Sequence, residues 1–264
     1  MTRTAQVNGI SIGFDDAGIG PACVLVHGHP FDRSMWWPQV TSLTAAGYRV
    51  ITADLRGYGR STVVPGLTTL ETLARDTFAL LDHLDVDEVV LAGLSMGGQI
   101  AMECLRLFPE RIAGLVLADT FAQGETPQGR TDRNRVADRL LAEGMAGYTT
   151  ENLPKMMAAY NVAAMPDVAG HVRTMMLNTP PEGAAAALRG RAERRDYREL
   201  LTTVAVPALV VVGRDDQFTP VADAELMHRL IPGSMLSVID GAGHLPNLEQ
   251  PAAFNAALHA FLDQ

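Results

Sequence analysis

The sequence predicts an α/β fold: a mostly parallel, doubly wound sheet interrupted by one long helical insertion. Three observations lead there. Short apolar, β-branched runs alternate with segments of helical spacing along most of the chain. The pentapeptide Gly93-Leu94-Ser95-Met96-Gly97 sits where one such run passes directly into one such helix. The alternation stops at about residue 121 and resumes near residue 204.

Residues 5–15 read as a hairpin turning at Asn8-Gly9, a pair that a tight two-residue turn favours. Cys23-Val24-Leu25-Val26-His27 and the run 48–53 have the length and apolar content of buried strands. Leu73, Phe78, Leu80, Leu81 and Leu84 mark a helix from about residue 70 to 84. A strand over 88–92, a helix over 98–108 stopped by Pro109, and a strand over 112–118 follow. After the insertion come a strand at 208–212, a helix at 221–230, a strand at 235–239 and a helix at 251–262. Strands separated by helices imply a parallel sheet covered on both faces. Residues 1–121 and 204–264 therefore form the expected core, with 122–203 as a helical cap over the carboxyl ends of the strands. Open parallel sheets bind ligands at that edge.

Composition narrows the functional classes. At 264 residues, 47% hydrophobic and 19% charged, the chain has the make-up of a globular protein with a sizeable core. It carries 21 basic against 30 acidic residues, net −9, and Lys155 is its one lysine. That balance excludes nucleic acid and anionic lipid as expected partners. No apolar run approaches the roughly 20 residues that span a bilayer, so no membrane partner is expected. The first residues lack the apolar stretch of a signal peptide. Cys23 and Cys104 fall in a buried strand and a buried helix, as free thiols. These features predict a cytoplasmic location. No H-E-x-x-H or paired Cys/His spacing suggests a metal, and no Gly-rich phosphate loop suggests a nucleotide, so no cofactor is expected.

The chemistry centres on Ser95. A strand-to-helix reversal around one serine strains its backbone and leaves the hydroxyl at the top of a sheet, above a helix N-terminus. The residues two before and two after must be small, and both are glycine. A serine needs a base, and the base needs an orienting carboxylate. His244, in the Gly-rich loop Asp240-Gly241-Ala242-Gly243-His244, is the expected base. His83, His228 and His259 fall on helices and His171 in the insertion, where solvated or packed roles fit better. Asp216, three residues after Gly213 and four before Pro220, is the expected acid; Asp215 beside it and Asp119 after an earlier strand are its competitors.

With these pieces, the chain resembles the α/β-hydrolases over its whole core. The resemblance rests on His27-Gly28-His29-Pro30, the 54–61 loop, the elbow at Ser95, the acid loop at 213–220, and Gly243-His244 followed by Glu249, Pro251 and Phe254. The order Ser95, Asp216, His244 is the order expected of that fold. The resemblance implies an oxyanion hole formed by the backbone N–H groups of Met96 and His29, with Pro30 stiffening the loop. The His29 side chain is unusual for this motif: it either meets a polar atom of the substrate or is a tolerated variant. His27 and the 54–61 loop are expected to be structural.

The resemblance also implies acyl transfer. The pattern looks most like small bacterial carboxylesterases and the enol-lactone hydrolase-like branch, which includes acyl-homoserine lactone hydrolases and cofactor-free perhydrolases. The expected partner is a small ester or lactone with an apolar acyl or aryl group. Perhydrolysis, carbon–carbon bond hydrolysis and a non-catalytic ligand-binding role stay open beside it, as does assembly into a homodimer. Methionines at helical spacing serve packing more often than ligand contact. Met145, Met156, Met157, Met175 and Met176 are nevertheless the flexible apolar groups that the cap offers to a pocket. Residues 121–203 hold eleven basic and ten acidic side chains, a near balance that predicts no cationic draw on an acidic substrate.

Overall fold

The computed structural model describes residues 3–263. Its eight strands are β1 (Arg3–Val7), β2 (Ile10–Ala17), β3 (Ala22–Val26), β4 (Arg49–Ala53), β5 (Val89–Leu94), β6 (Ile112–Ala118), β7 (Ala208–Gly213) and β8 (Met235–Ile239). They form one sheet in the order β1-β2-β4-β3-β5-β6-β7-β8. β2 runs antiparallel to both its neighbours, and the remaining pairs are parallel. The β1–β2 turn falls on Asn8 and Gly9, at φ 47° and 74°. That is the positive-φ geometry whose twist suits a two-residue hairpin.

Alternation along the central strands divides the core between the two sheet faces. Leu115 and Leu117 of β6 and Val210 and Val212 of β7 pack on one side with Phe14, Leu73, Phe78 and Ile100. Val116 and Ala118, with Leu209 and Val211, pack on the other with Trp36, Leu94 and Phe254. Helices α1 (Trp37–Ala45), α2 (Leu70–His83) and α3 (Met96–Leu107) cover the first half of the sheet. The Thr69 hydroxyl caps α2 by accepting from the Thr72 N–H at 3.1 Å.

Between β6 and β7 lie α4 (Pro127–Glu143), α5 (Met145–Met156), α6 (Ala159–Ala164), α7 (Pro166–Asn178), α8 (Pro181–Arg191) and the short α9 (Arg198–Leu201). α4 packs along α8, and α5 against α7. The alanine run Ala184 to Ala187 is wholly buried on α8, where small side chains let the helix sit close to the sheet-edge loops. A Cβ on Gly183 would lie 1.9 Å from the Gly57 carbonyl oxygen, and one on Gly190 would lie 1.7 Å from that of Thr68. The Thr68 N–H donates to Ala186 O at 3.0 Å across the same seam. The chain ends with α10 (Val221–Leu230), α11 (Pro246–Glu249) and α12 (Pro251–Leu262). Among the described residues no helix is long and apolar enough to cross a membrane.

Around Ser95 two boundaries differ from the sequence expectation. β5 continues through Gly93 and Leu94, and α3 starts at Met96, two residues before the expected start. Gly93 and Gly97 fall between the expected strand and helix, yet backbone packing holds them in regular elements. A Cβ on Gly93 would sit 2.1 Å from the Gly97 carbonyl oxygen, and one on Gly97 would sit 2.1 Å from that of Val26.

Candidate active site

The chain order reverses at β3, which lies between β4 and β5, so the carboxyl ends of β3 and β5 adjoin. Doubly wound sheets place their ligand crevice at such a point. Ser95 follows the last residue of β5 and precedes the first of α3, at φ 58° and ψ −115°. A non-glycine residue there carries backbone strain of about 1–3 kcal/mol. Three hydrogen bonds offset it. The Ser95 N–H donates to Ala118 O at 2.9 Å. The Thr120 hydroxyl and the Gln99 N–H donate to Ser95 O at 2.8 and 3.2 Å. The serine is thus held between the sheet and the helix that follows it.

His244 is buried and donates from Nδ1 to Asp216 Oδ2 at 2.7 Å. Nε2 is then the ring nitrogen left to act as a base on the cavity side, where Ser95 and His244 are both wall residues. Glycines shape this loop. A Cβ on Gly213 would meet Gly243 O at 1.9 Å, and one on Gly243 would meet Ala158 N at 2.5 Å. Glu249 anchors both flanks of the histidine. Its Oε1 accepts from Gly243 N at 2.9 Å and Leu245 N at 3.3 Å, and its Oε2 from Ala158 N and the Asn161 amide, both at 2.8 Å. Glu249 therefore ties the histidine loop to the insertion, a positioning role that its place in the motif only hinted at.

The three aspartates separate clearly. Asp216 Oδ1 accepts from Phe218 N at 2.8 Å and Thr219 N at 3.2 Å, and Oδ2 accepts from the Thr219 hydroxyl as well as from His244. Burial alone would raise its pKa, but the His244 charge and these donors together hold it below the usual carboxylate value. Asp215 instead accepts from the exposed Tyr160 hydroxyl at 2.6 Å. Asp119 is buried and gives Oδ1 to the Gly213 N–H at 2.9 Å, while Oδ2 has no hydrogen-bond partner among the described residues. Burial, then the neighbouring Asp216 charge, push the Asp119 pKa well above the ordinary value, so it stays protonated. Single donor atoms of Asp119, Asp216 and His244 lie within 4.8 Å of one another. The hydrogen bonds already on Asp216 occupy its lone pairs, so the cluster is built to orient an imidazole and not to ligate a cation.

The loop after β3 approaches the serine closely: a Cβ on Gly28 would be 3.2 Å from Ser95 Cβ. His29, the next residue, lines the same cavity as Ser95, and Met96 opens α3. His27 holds this loop in place, accepting at Nε2 from Leu55 N at 2.9 Å. The His29 side chain lines the cavity, with Nδ1 2.8 Å from the Tyr58 hydroxyl and Nε2 unpartnered among the described residues. Burial, then the charges of Arg191 and Arg133, depress its pKa well below the usual range and keep it neutral.

The cavity beside Ser95 has a volume of about 360 Å³ and takes its walls from the core loops and from the insertion. Of the five methionines expected there, Met156 is a wall residue. The expectation for the other four is corrected. Met145 packs with Ala137, Leu140 and Leu188 within the insertion. Met157, Met175 and Met176 are buried with Phe31, Met35 and Leu245. Helical spacing marks an inward face but does not say whether a core or a cavity lies beyond it. Sequence reasoning also missed Tyr148, Leu188, Phe218 and two arginines, Arg133 and Arg191, on the cavity wall. Phe218 sits edge-on to the His244 ring, 5.1 Å between centroids.

Known proteins share this architecture. The α/β hydrolase fold family matches residues 21–251. A 3-oxoadipate enol-lactonase from Acinetobacter baylyi is 30% identical over 262 residues, covering 99% of this chain and 96% of its own. A thermophilic esterase from Thermogutta terrifontis superposes with a TM-score of 0.96 at 40% identity, covering 100% of this chain and 98% of its own. The enol-lactonase from Burkholderia xenovorans LB400 does so with a TM-score of 0.92 at 29% identity, covering 99% of this chain and all of its own. By sequence, sheet order and the serine elbow, the chain belongs to the α/β-hydrolase fold family.

Proposed function

We propose that the protein hydrolyses carboxylic esters or lactones through an acyl-enzyme on Ser95. The observation that carries this reading is the buried His244–Asp216 pair, 2.7 Å apart, on the wall of the cavity that Ser95 enters from its strained turn. His244 Nε2 takes the Ser95 proton as Oγ attacks the carbonyl carbon, and the Met96 and His29 N–H groups receive the developing oxyanion. Two such preorganised donors contribute about 3 kcal/mol or more to transition-state stabilisation. The protonated His244 then gives its proton to the leaving alkoxide. Water, activated by the same nitrogen, releases the acid in the second half. Asp216 holds the imidazole in the required tautomer and stabilises its cation.

The helical insertion serves as a cap on this site in our reading, because Tyr148, Met156 and Leu188 come from it and face the same cavity as Ser95. Enol-lactonases and an esterase among the relatives support the ester and lactone class. The test is labelling with a fluorophosphonate and turnover of p-nitrophenyl butyrate. Labelling is expected at Ser95, with loss of both signals in Ser95→Ala and an unchanged circular dichroism spectrum. Normal turnover in Ser95→Ala would overturn the assignment.

A further inference from the structure

Arg191 is the last residue of α8, is buried, and lines the cavity together with Ser95, His29 and His244. Its Nε donates to Gln99 Oε1 at 3.1 Å. Gln99 lies one turn along α3 from Ser95, its N–H donating to Ser95 O at 3.2 Å. No carboxylate among the described residues forms an ion pair with Arg191.

Its charged surroundings are of the same sign. Arg133 and Arg194 are the neighbouring cations that bear on it. One carboxylate, Glu125, serves both of them: it is hydrogen-bonded to Arg133 Nε and lies 3.4 Å from Arg194 Nη1. Asp132, the acid on the cavity wall, is engaged by Arg135 at 3.0 Å. The cavity thus holds an unmatched positive charge that a count over residues 121–203 conceals. A guanidinium does not shed its proton in a protein, and leaving a buried charge uncompensated costs several kcal/mol. A planar fork of donors is the geometry that receives a carboxylate on two oxygens at once. His29 Nε2, unpartnered on the same wall, is a neutral polar atom beside it.

We propose that Arg191 anchors a free carboxylate on the substrate, so that this enzyme's preferred ester or lactone carries an acid group a short aliphatic spacer away from the scissile carbonyl. The inference rests on the Ser95 hydrolase reading for its reaction, though not for its binding site. It replaces the expectation of a purely apolar acyl or aryl group.

The test compares p-nitrophenyl hemiglutarate with its methyl ester, which differ only in the charge of the distal group. The parent enzyme is expected to favour the half-ester by about 10- to 100-fold in kcat/KM. Arg191→Met should bring that ratio close to one, and Arg191→Lys should keep part of it. A structural role for Arg191 would lower both substrates together and leave the ratio unmoved. That result, or a parent ratio near one, overturns the proposal. Binding is read separately by calorimetry of glutarate on Ser95→Ala, where the Arg191→Met change should abolish the heat. Glutarate binding no tighter than that of dimethyl glutarate also overturns it. Phosphonate labelling of Ser95 without a charge preference would sink this inference and leave the hydrolase standing. Arg191-dependent glutarate binding in a protein that neither labels nor turns over would do the reverse.

Discussion

Two buried aspartates near one histidine divide their labour by protonation. Asp216 is surrounded by hydrogen-bond donors, including the His244 ring, so it is ionised; Asp119 faces that anion in a dry setting, so it keeps its proton. Asp216→Asn should lower turnover by about 10³–10⁴ because the imidazole loses its tautomer and its countercharge. Asp119→Asn should be mild, since an amide oxygen still accepts from the Gly213 N–H and the neutral charge state is kept. A severe Asp119→Asn with a mild Asp216→Asn would reverse the roles. Linkage adds a second reading. The folded protein holds the Asp119 proton above about pH 4, where the unfolded chain has released it. The native state then binds more protons than the unfolded one, and stability falls as pH rises through that window. The melting temperature of Asp119→Asn should therefore gain on that of the parent as the pH is raised above about 4. A constant difference across that range would show that Asp119 does not titrate as described.

At the scale of elements, α8 sets the distance between the insertion and the core. Its Gly190 and Gly183 lie against the carbonyls of Thr68 and Gly57 with no room for a Cβ, and Arg191 follows directly. Gly190→Ala should force the helix away from the loop. Overpacking of this kind costs about 1–3 kcal/mol. Urea denaturation should show the loss as a lower midpoint, and KM should rise because Arg191 and Leu188 move with the helix. An unchanged midpoint would mean that the seam is looser than the contact distances imply. Glu249 does the corresponding work for the histidine loop, joining Gly243 and Leu245 to Ala158 and Asn161 with a single carboxylate.

For the molecule as a whole, the two thiols report on the integrity of the sheet. Cys23 on β3 and Cys104 on α3 are free and buried; burial pushes Cys23 up to about 12 and raises Cys104 as well. A protonated thiol inside a packed core does not attack a disulfide reagent. Ellman's reagent at pH 8 should therefore leave both unmodified in the native protein, with both reacting as the circular dichroism signal is lost in urea. Rapid reaction of either thiol in buffer would contradict the packing around it.

Much of this protein can be read in its sequence because local rules govern it. Short apolar runs and helical spacing located the eight strands and four of the core helices, since a strand or helix must bury its apolar face wherever it lies, whereas α1 and the separate helices of the insertion gave no such distinct signal. Gly93, Ser95 and Gly97 announced the elbow because only small residues fit where a strand turns into a helix. The glycine-flanked His244 and the acid loop stood out for a related reason, as each needs unusual backbone freedom at a strand's carboxyl end. Other features depend on which surfaces meet. Asp119 and Asp216 follow different strands with similar signals, and only the sheet order and one 2.7 Å hydrogen bond separate them. The methionines of the insertion share one spacing, yet Met156 reaches the cavity while Met176 is buried in the core. Charge makes the clearest contrast. Along the chain the insertion is nearly neutral, but folding brings Arg133 and Arg194 to bear on Arg191, while Glu125 pairs with the first two and not with Arg191. Sequence alone suffices for the fold and for the strained serine turn at Ser95, because both follow from short-range sterics and burial. Tertiary structure alone decided the acid's partner and the sign of the pocket, because electrostatic interactions act between neighbours in space and ignore their order in the chain.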